Sequence, residues 1–374
     1  MTIGLLPALG GGIRELATTG QASRLVDGYL RPYAAAFDRL VYFSYLEESL
    51  AEFTDDEHLL AATRVLTPGR PMSRGRRAVT MPGAHAREFR ECAALRVFQV
   101  TGVIPALIAR ARFGVPYVTT YGFWYSRLSR PGSRRLLKAA VERVGLRRAA
   151  AVIATTEELA ARARRLCPRV ELIPNGVDTR HFAPADGARR REGERRVLYV
   201  GRLSAEKNLS ALIRAAAAPG GASPLRLVLV GAGPLGPALR AEAAAAGVAA
   251  EFRGVVPQPE LPRVYAEADA FVLASFTEGH PKVLLEAMSA GVPVVASDCA
   301  GNRSLVADGR TGLLFDPARP DELAERLGRV LGDHALAAAL ARAGREQVVA
   351  RYDLAALVAR EIELVRSVAA GGRR

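Results

Sequence analysis

The stretch AFVLASFTEGHPKVLLEAMSAGVPVVA, residues 270–296, decides the fold. Ala270–Ala274 is a short apolar run with the length and composition of a buried strand. Pro281 suits the first position of a helix, where its missing N–H costs nothing. Gly291 suits the left-handed cap that ends one. A second apolar run, Val292–Ala296, follows at once. Strand, helix and strand in this order read as one βαβ unit of a parallel sheet. The N–H groups near His280–Leu284 then lie at the carboxyl end of a strand, where the helix dipole favours an anion. Glu278 precedes that helix and Glu286 falls in its second turn, one carboxylate toward each end of a ligand laid along the helix start.

The same alternation spreads outward. Arg196–Val200, Leu225–Val230, Ala250–Arg253 and Thr311–Phe315 read as further strands. Leu209–Ala218, Leu235–Ala246, Pro259–Ala268 and Asp321–Leu331 read as helices. In the first half Ile3–Leu6, Leu40–Tyr45, Leu95–Val100, Tyr117–Thr120 and Ala151–Ala154 are plausible strands, with helical stretches such as Ser133–Arg148 between them. The reading is α/β throughout, with Leu354–Val368 as a closing amphipathic helix. At 374 residues two or three domains are expected. Ligands of such sheets bind at the carboxyl ends of the strands, so the cleft of a two-domain chain is the expected active site.

Two more loops follow strands. Val200-Gly201-Arg202-Leu-Ser-Ala-Glu-Lys207 sets a guanidinium and an ammonium on one short loop, a pairing suited to a diphosphate. The chain has only three lysines, Lys138, Lys207 and Lys282, and two of them fall in these loops. Gly231-Ala-Gly233-Pro-Leu-Gly236 matches G-x-G-x-x-G after a strand. It supports an alternative, an oxidoreductase using NAD(P) or FAD, although Pro234 and Pro237 crowd the helix start.

The Glu278–Glu286 stretch resembles the E-x7-E motif of glycosyltransferase family 4, the retaining GT-B glycosyltransferases (glycosyl transferases group 1). The resemblance implies two Rossmann-like parallel-sheet domains facing across a cleft: an acceptor domain over 1–180, a linker over 181–196, a nucleotide-sugar donor domain over 197–352, and a C-terminal helix over 353–374 packing back toward the first domain. It implies that Glu278 contacts the donor sugar and Glu286 the ribose. Gly279, His280, Pro281, Lys282, Val283 and Leu284 would line the sugar and diphosphate, with His280 standing where the family often has Phe. Arg202 and Lys207 would grip the diphosphate beside Gly201, and Gly231 would lie near the nucleotide. Arg253 and Val255 would line the base pocket, mostly through backbone groups. Gly11 and Gly12, after the first strand, would bring N–H groups to the donor phosphates. Thr101 and Tyr121 fall on the acceptor side, and Tyr121 replaces a family His. Asn175-Gly-Val-Asp178, Asp298–Arg303 and Asp308–Phe315 resemble further family segments.

The implied reaction is a hexosyltransferase-type transfer from a nucleotide diphosphate sugar to a glycan or a polyprenyl-phosphate-linked acceptor, in cell-surface polysaccharide or glycolipid synthesis. No metal and no further cofactor are expected, and the chain lacks a D-x-D motif. A nucleotide-sugar 2-epimerase is a second alternative on the same fold.

The net charge is +14, which by itself points to an acidic partner. Residues 1–190 hold 29 Lys and Arg against 17 Asp and Glu, and residues 191–374 hold 23 against 21. The excess lies in the half expected to meet the acceptor. Arg127, Arg130, Arg134, Arg135, Lys138, Arg143, Arg147 and Arg148 surround an apolar set of Leu136, Leu137, Ala140, Val141 and Val144, a pattern suited to an anionic membrane surface. Nucleic acid is not expected as a partner: aromatic residues are 6%, too few for an extended base-stacking surface. Three scattered cysteines, no CxxC and no apolar run of membrane length suggest a cytoplasmic protein, peripheral on the inner face of the membrane.

Overall fold

The structure is a computed structural model that describes residues 1–70, 72–124, 132–185, 194–217 and 225–372. The chain divides into two compact units, Met1–Pro174 with Ala355–Arg374, and Asn175–Leu354.

The first unit is built on seven strands: β1 (Thr2–Leu6), β2 (Arg39–Phe43), β3 (Thr63–Leu66), β4 (Ala94–Val97), β5 (Tyr117–Tyr121), β6 (Ala151–Ala154) and β7 (Val170–Leu172). They form one parallel sheet in the order β3-β2-β1-β4-β5-β6-β7. Strand order reverses between β1 and β4, so the loops after these two strands flank a crevice at the sheet's carboxyl edge. The central strands β1, β4 and β5 are buried almost along their whole length, as parallel strands packed between helices are.

The C-terminal helix Leu354–Gly371 belongs to this unit from Ala355 onward. Its Glu361 is buried on the sheet. Arg96 of β4 donates from Nε to Glu361 Oε1 at 2.8 Å and from Nη2 to Oε2 at 2.9 Å. Tyr33 OH donates to Oε1 at 2.7 Å, and Arg96 also reaches Thr120 Oγ1 at 2.7 Å. Burial alone would pull the Arg96 guanidinium down, but the charge and hydrogen bonds of Glu361 outweigh it and hold it above its usual range.

The second unit holds β8 (Arg195–Val200), β9 (Leu225–Val230), β10 (Ala249–Gly254), β11 (Ala270–Leu273), β12 (Val294–Ser297) and β13 (Leu313–Phe315). This sheet is also parallel, in the order β10-β9-β8-β11-β12-β13. Its reversal falls between β8 and β11, which pair through Val197 and Ala270. The expected linker over 181–196 lies partly outside the described residues. At its two ends Phe182 is buried in this unit's core and Arg195 already belongs to β8. Among the described residues no helix is long and apolar enough to cross a membrane.

Candidate active site

The loop after β11 carries Glu278 and the loop after β8 carries Lys207, so the reversal of strand order brings them to one crevice. Lys207 Nζ lies 2.6 Å from Glu278 Oε1, and Ser275 Oγ donates to the same oxygen at 2.6 Å. Oε2 of Glu278 makes no hydrogen bond with a described residue. Two further bonds set this geometry. Phe276 N–H donates to Glu206 O at 2.9 Å, tying the two loops backbone to backbone. Ser204 Oγ donates to Glu206 Oε1 at 2.6 Å, and that bond holds the Glu206 carboxyl below its usual range. Lys207 ends a one-turn helix over Ala205–Lys207, after which Asn208 takes a left-handed conformation with φ 52° and starts the helix Leu209–Ala217. Arg202 is exposed and forms no ion pair with a described residue.

The helix after Glu278 runs Lys282–Ser289, with Pro281 as its extended N-cap. Its first-turn N–H groups, those of Val283 and Leu284 among them, have no intrahelical partner and point toward the Glu278 loop. Gly279, Lys282 and Val283 are half-buried, and Pro281 and Leu284 are buried. His280 is buried too. Asn175 Nδ2 donates to its carbonyl at 2.8 Å, Tyr352 lies 5.5 Å from its ring, and its Nδ1 has no hydrogen-bond partner among the described residues. Burial lowers the imidazole from 6.5 to about 4, so it is neutral at pH 7. Glu286, read as a ribose contact, is buried: Tyr265 OH donates to its Oε2 at 2.9 Å and to Val283 O at 3.3 Å.

Gly231 packs against the loop that holds Gly201. A Cβ there would stand 2.0 Å from Gly201 O, and one on Gly233 would stand 2.3 Å from Leu203 O. Leu203 N–H donates to Ala232 O at 3.0 Å, and Leu235 N–H to Leu203 O at 3.0 Å. These glycines let two backbones touch. Gly201, with φ 154°, is the other half of that contact. The Arg253 guanidinium is engaged by Glu251 at 2.8 Å and Glu267 at 2.7 Å, which leaves the backbone around exposed Val255 as the surface of this segment.

In the first unit Gly11 and Gly12 precede two N–H groups that a buried carboxylate holds. The buried Glu48 carboxylate accepts from Ile13 N–H at 3.1 Å and Arg14 N–H at 2.7 Å, with Ser44 Oγ donating to it at 2.5 Å. Tyr121, the position that replaces a family His, lies on β5. It is fully buried and its OH donates to Glu142 Oε1 at 2.8 Å. Burial raises its phenol well above the usual range, with Glu142 adding to the shift. Thr101 is half-buried on the turn after β4. Ser275, Tyr265, Glu48 and Glu361 were not singled out from sequence. Ser275 alone carried a local signal, a hydroxyl three residues before a site carboxylate.

The chain is similar to known proteins along both of its halves. The profile of glycosyl transferases group 1 matches residues 185–347, and that of glycosyltransferase family 4 matches residues 39–181. A GDP-mannose-dependent alpha-mannosyltransferase of Mycobacterium tuberculosis is 36% identical over 264 residues, 63% of this chain and 67% of that one. A D-inositol 3-phosphate glycosyltransferase of Nocardia farcinica is 36% identical over 184 residues, 44% of this chain and 40% of its own length. The chain thus spans about half the length of several curated relatives that it matches. Sucrose-phosphate synthase of Thermosynechococcus elongatus superposes with a TM-score of 0.81 over 99% of this chain and 100% of that one, at 24% identity. Anabaena HepE, solved in complex with UDP-glucose, superposes with a TM-score of 0.76 over 98% and 100%, at 21% identity. With profiles covering both halves and two Rossmann-like sheets of GT-B type, the chain is a member of glycosyltransferase family 4.

Proposed function

We propose that this chain transfers a sugar from a nucleoside diphosphate sugar, with retention at the anomeric carbon, to a glycan or polyprenyl-phosphate-linked acceptor. The observation that carries the reading is the meeting of Lys207 and Glu278 at the strand-order reversal of the second sheet. In the reaction the bond between the anomeric carbon and the diphosphate oxygen breaks, and negative charge grows on the leaving diphosphate. Lys207, Arg202 and the N–H groups of Val283 and Leu284 are the positive groups that would meet this charge. Lys207 exchanges the Glu278 carboxylate for a donor phosphate, and Glu278 Oε2 accepts from sugar hydroxyls. The reading is supported by relatives whose names include GDP-mannose-dependent transferases and by the UDP-glucose complex of HepE. Among the described residues nothing supports the oxidoreductase or epimerase alternatives.

The acceptor reading draws on the helix Ser133–Arg148. Leu136 and Leu137 are 73% and 66% exposed, Val144 and Ala140 share their face, and Arg135, Lys138, Arg143, Arg147 and Arg148 are exposed around them. Glu142, Gly145 and Leu146 form the buried face. Arg127 and Arg130 lie outside the described residues. Exposed leucines ringed by cations fit the anionic inner leaflet, where a lipid-linked acceptor resides.

The test is a thermal-shift screen over nucleoside diphosphate sugars, followed by a turnover assay with the stabilising donor. A true donor at a hundred times its Kd adds about 2.7 kcal/mol. No stabilisation by any sugar nucleotide, together with no turnover, contradicts the reading.

A further inference from the structure

We propose that Ser275 is a positioning residue for Glu278, set in place by Ser297 and Asn302. The inference rests on the glycosyl-transfer reading of Glu278 and names the group that holds its carboxylate while Lys207 is engaged elsewhere.

Ser275, Ser297 and Asn302 are each fully buried. Ser275 Oγ donates to Glu278 Oε1 at 2.6 Å. Ser297 Oγ in turn donates to the Ser275 carbonyl. Asn302 Nδ2 donates to Ser297 Oγ at 3.0 Å and to Ser297 O at 2.9 Å. The Asn302 amide makes these two bonds through Nδ2, while its Oδ1 is buried with no hydrogen-bond partner among the described residues. The same segment backs the Glu278 peptide. A Cβ on Gly301 would stand 2.5 Å from Glu278 O and 2.7 Å from Gly279 O, so this segment and the Glu278 loop touch directly.

The consequence follows from counting partners. Glu278 Oε1 has two donors, Ser275 Oγ and Lys207 Nζ, and Oε2 faces none among the described residues. When Lys207 turns to a donor phosphate, Ser275 is the remaining group that fixes the carboxylate plane. Oε2 then stays aimed at the sugar. Without the hydroxyl the carboxylate rotates and loses alignment, and misplacement by about 1 Å costs of order a hundredfold in rate.

The test compares wild type with Ser275→Ala and Ser275→Cys. It measures kcat and donor KM with the sugar nucleotide that most stabilises the wild type, and the Kd of the corresponding nucleoside diphosphate alone. Ser275→Ala is expected to lose about tenfold to a hundredfold in kcat. Nucleoside diphosphate affinity is expected to stay within about twofold, because the diphosphate groups are untouched. Cys, with a weak S–H donor at similar volume, is expected to rank between Ser and Ala. An unchanged kcat in Ser275→Ala, equal losses in kcat and nucleoside diphosphate affinity, or Cys ranking below Ala would overturn the proposal. Wild type that neither binds nor turns over any sugar nucleotide would instead refute the reading of the site, and the proposal with it.

Discussion

Replacing Glu361 by alanine tests how the C-terminal helix is held to the first sheet. The Arg96 and Glu361 residues are 2% and 4% exposed. The substitution removes both charge-assisted bonds from Arg96 and the acceptor of Tyr33 OH. Arg96 keeps Thr120 Oγ1 and the Val97 carbonyl, neither of which carries a charge. Breaking one side of a buried pair costs about 3–5 kcal/mol, because the surviving charge stays out of water uncompensated. For a unit of this size each kcal/mol moves Tm by about 2–4 °C, so a fall of about 6–20 °C is expected by calorimetry. The control is Arg96→Met with Glu361→Leu, which removes both charges and restores most of the loss. A Glu361→Ala shift below about 1 kcal/mol would refute the claim that this pair is a desolvated, mutually dependent unit.

The neutral imidazole of His280 gives a pH signature. Its pKa falls from 6.5 in the unfolded chain to about 4 in the fold, so the unfolded state binds more protons between those values. Stability is therefore level above pH 7 and is lost as pH falls from 6.5 toward 4, by about 2–3 kcal/mol near pH 4.5. Denaturant titrations of wild type and His280→Phe should diverge over that window, and parallel curves would contradict the assignment. Gly231→Ala should disrupt the second unit or its donor site, since the new Cβ would meet Gly201 O at 2.0 Å with backbone on both sides; a variant with wild-type Tm and wild-type donor affinity would show that the two loops can separate freely.

Much of the second sheet was legible because its central strands carry buried apolar runs that end in loops. Val197–Val200 and Ala270–Leu273 are buried along their length, and Lys207 and Glu278 each follow one of them closely. Edge strands escaped because they lack that run. β3 is buried only at its two ends and β7 is half-buried throughout, so neither contrasts with its flanking loops. The alanine-rich helix His334–Arg351 spreads its few large apolar residues thinly, and it was likewise not read. The Gly231–Gly236 spacing leaves a dinucleotide alternative open because local sequence cannot tell a glycine facing ligand from one facing another backbone. Tyr121 and Glu142 lie 21 residues apart and Arg96 and Glu361 lie 265 apart. Pairings at that separation come from topology, which no motif records.

The central claim is that Glu278 and Lys207 form the donor-sugar and diphosphate ends of one catalytic site. Its most direct test is steady-state turnover of a stabilising sugar nucleotide by wild type, Glu278→Gln and Lys207→Met, each checked for an unchanged fold. The account predicts that both variants stay folded and lose about a hundredfold or more in kcat, with Lys207→Met also losing affinity for the nucleoside diphosphate. Undiminished turnover in Glu278→Gln, or unchanged nucleoside diphosphate affinity and kcat in Lys207→Met, would contradict it.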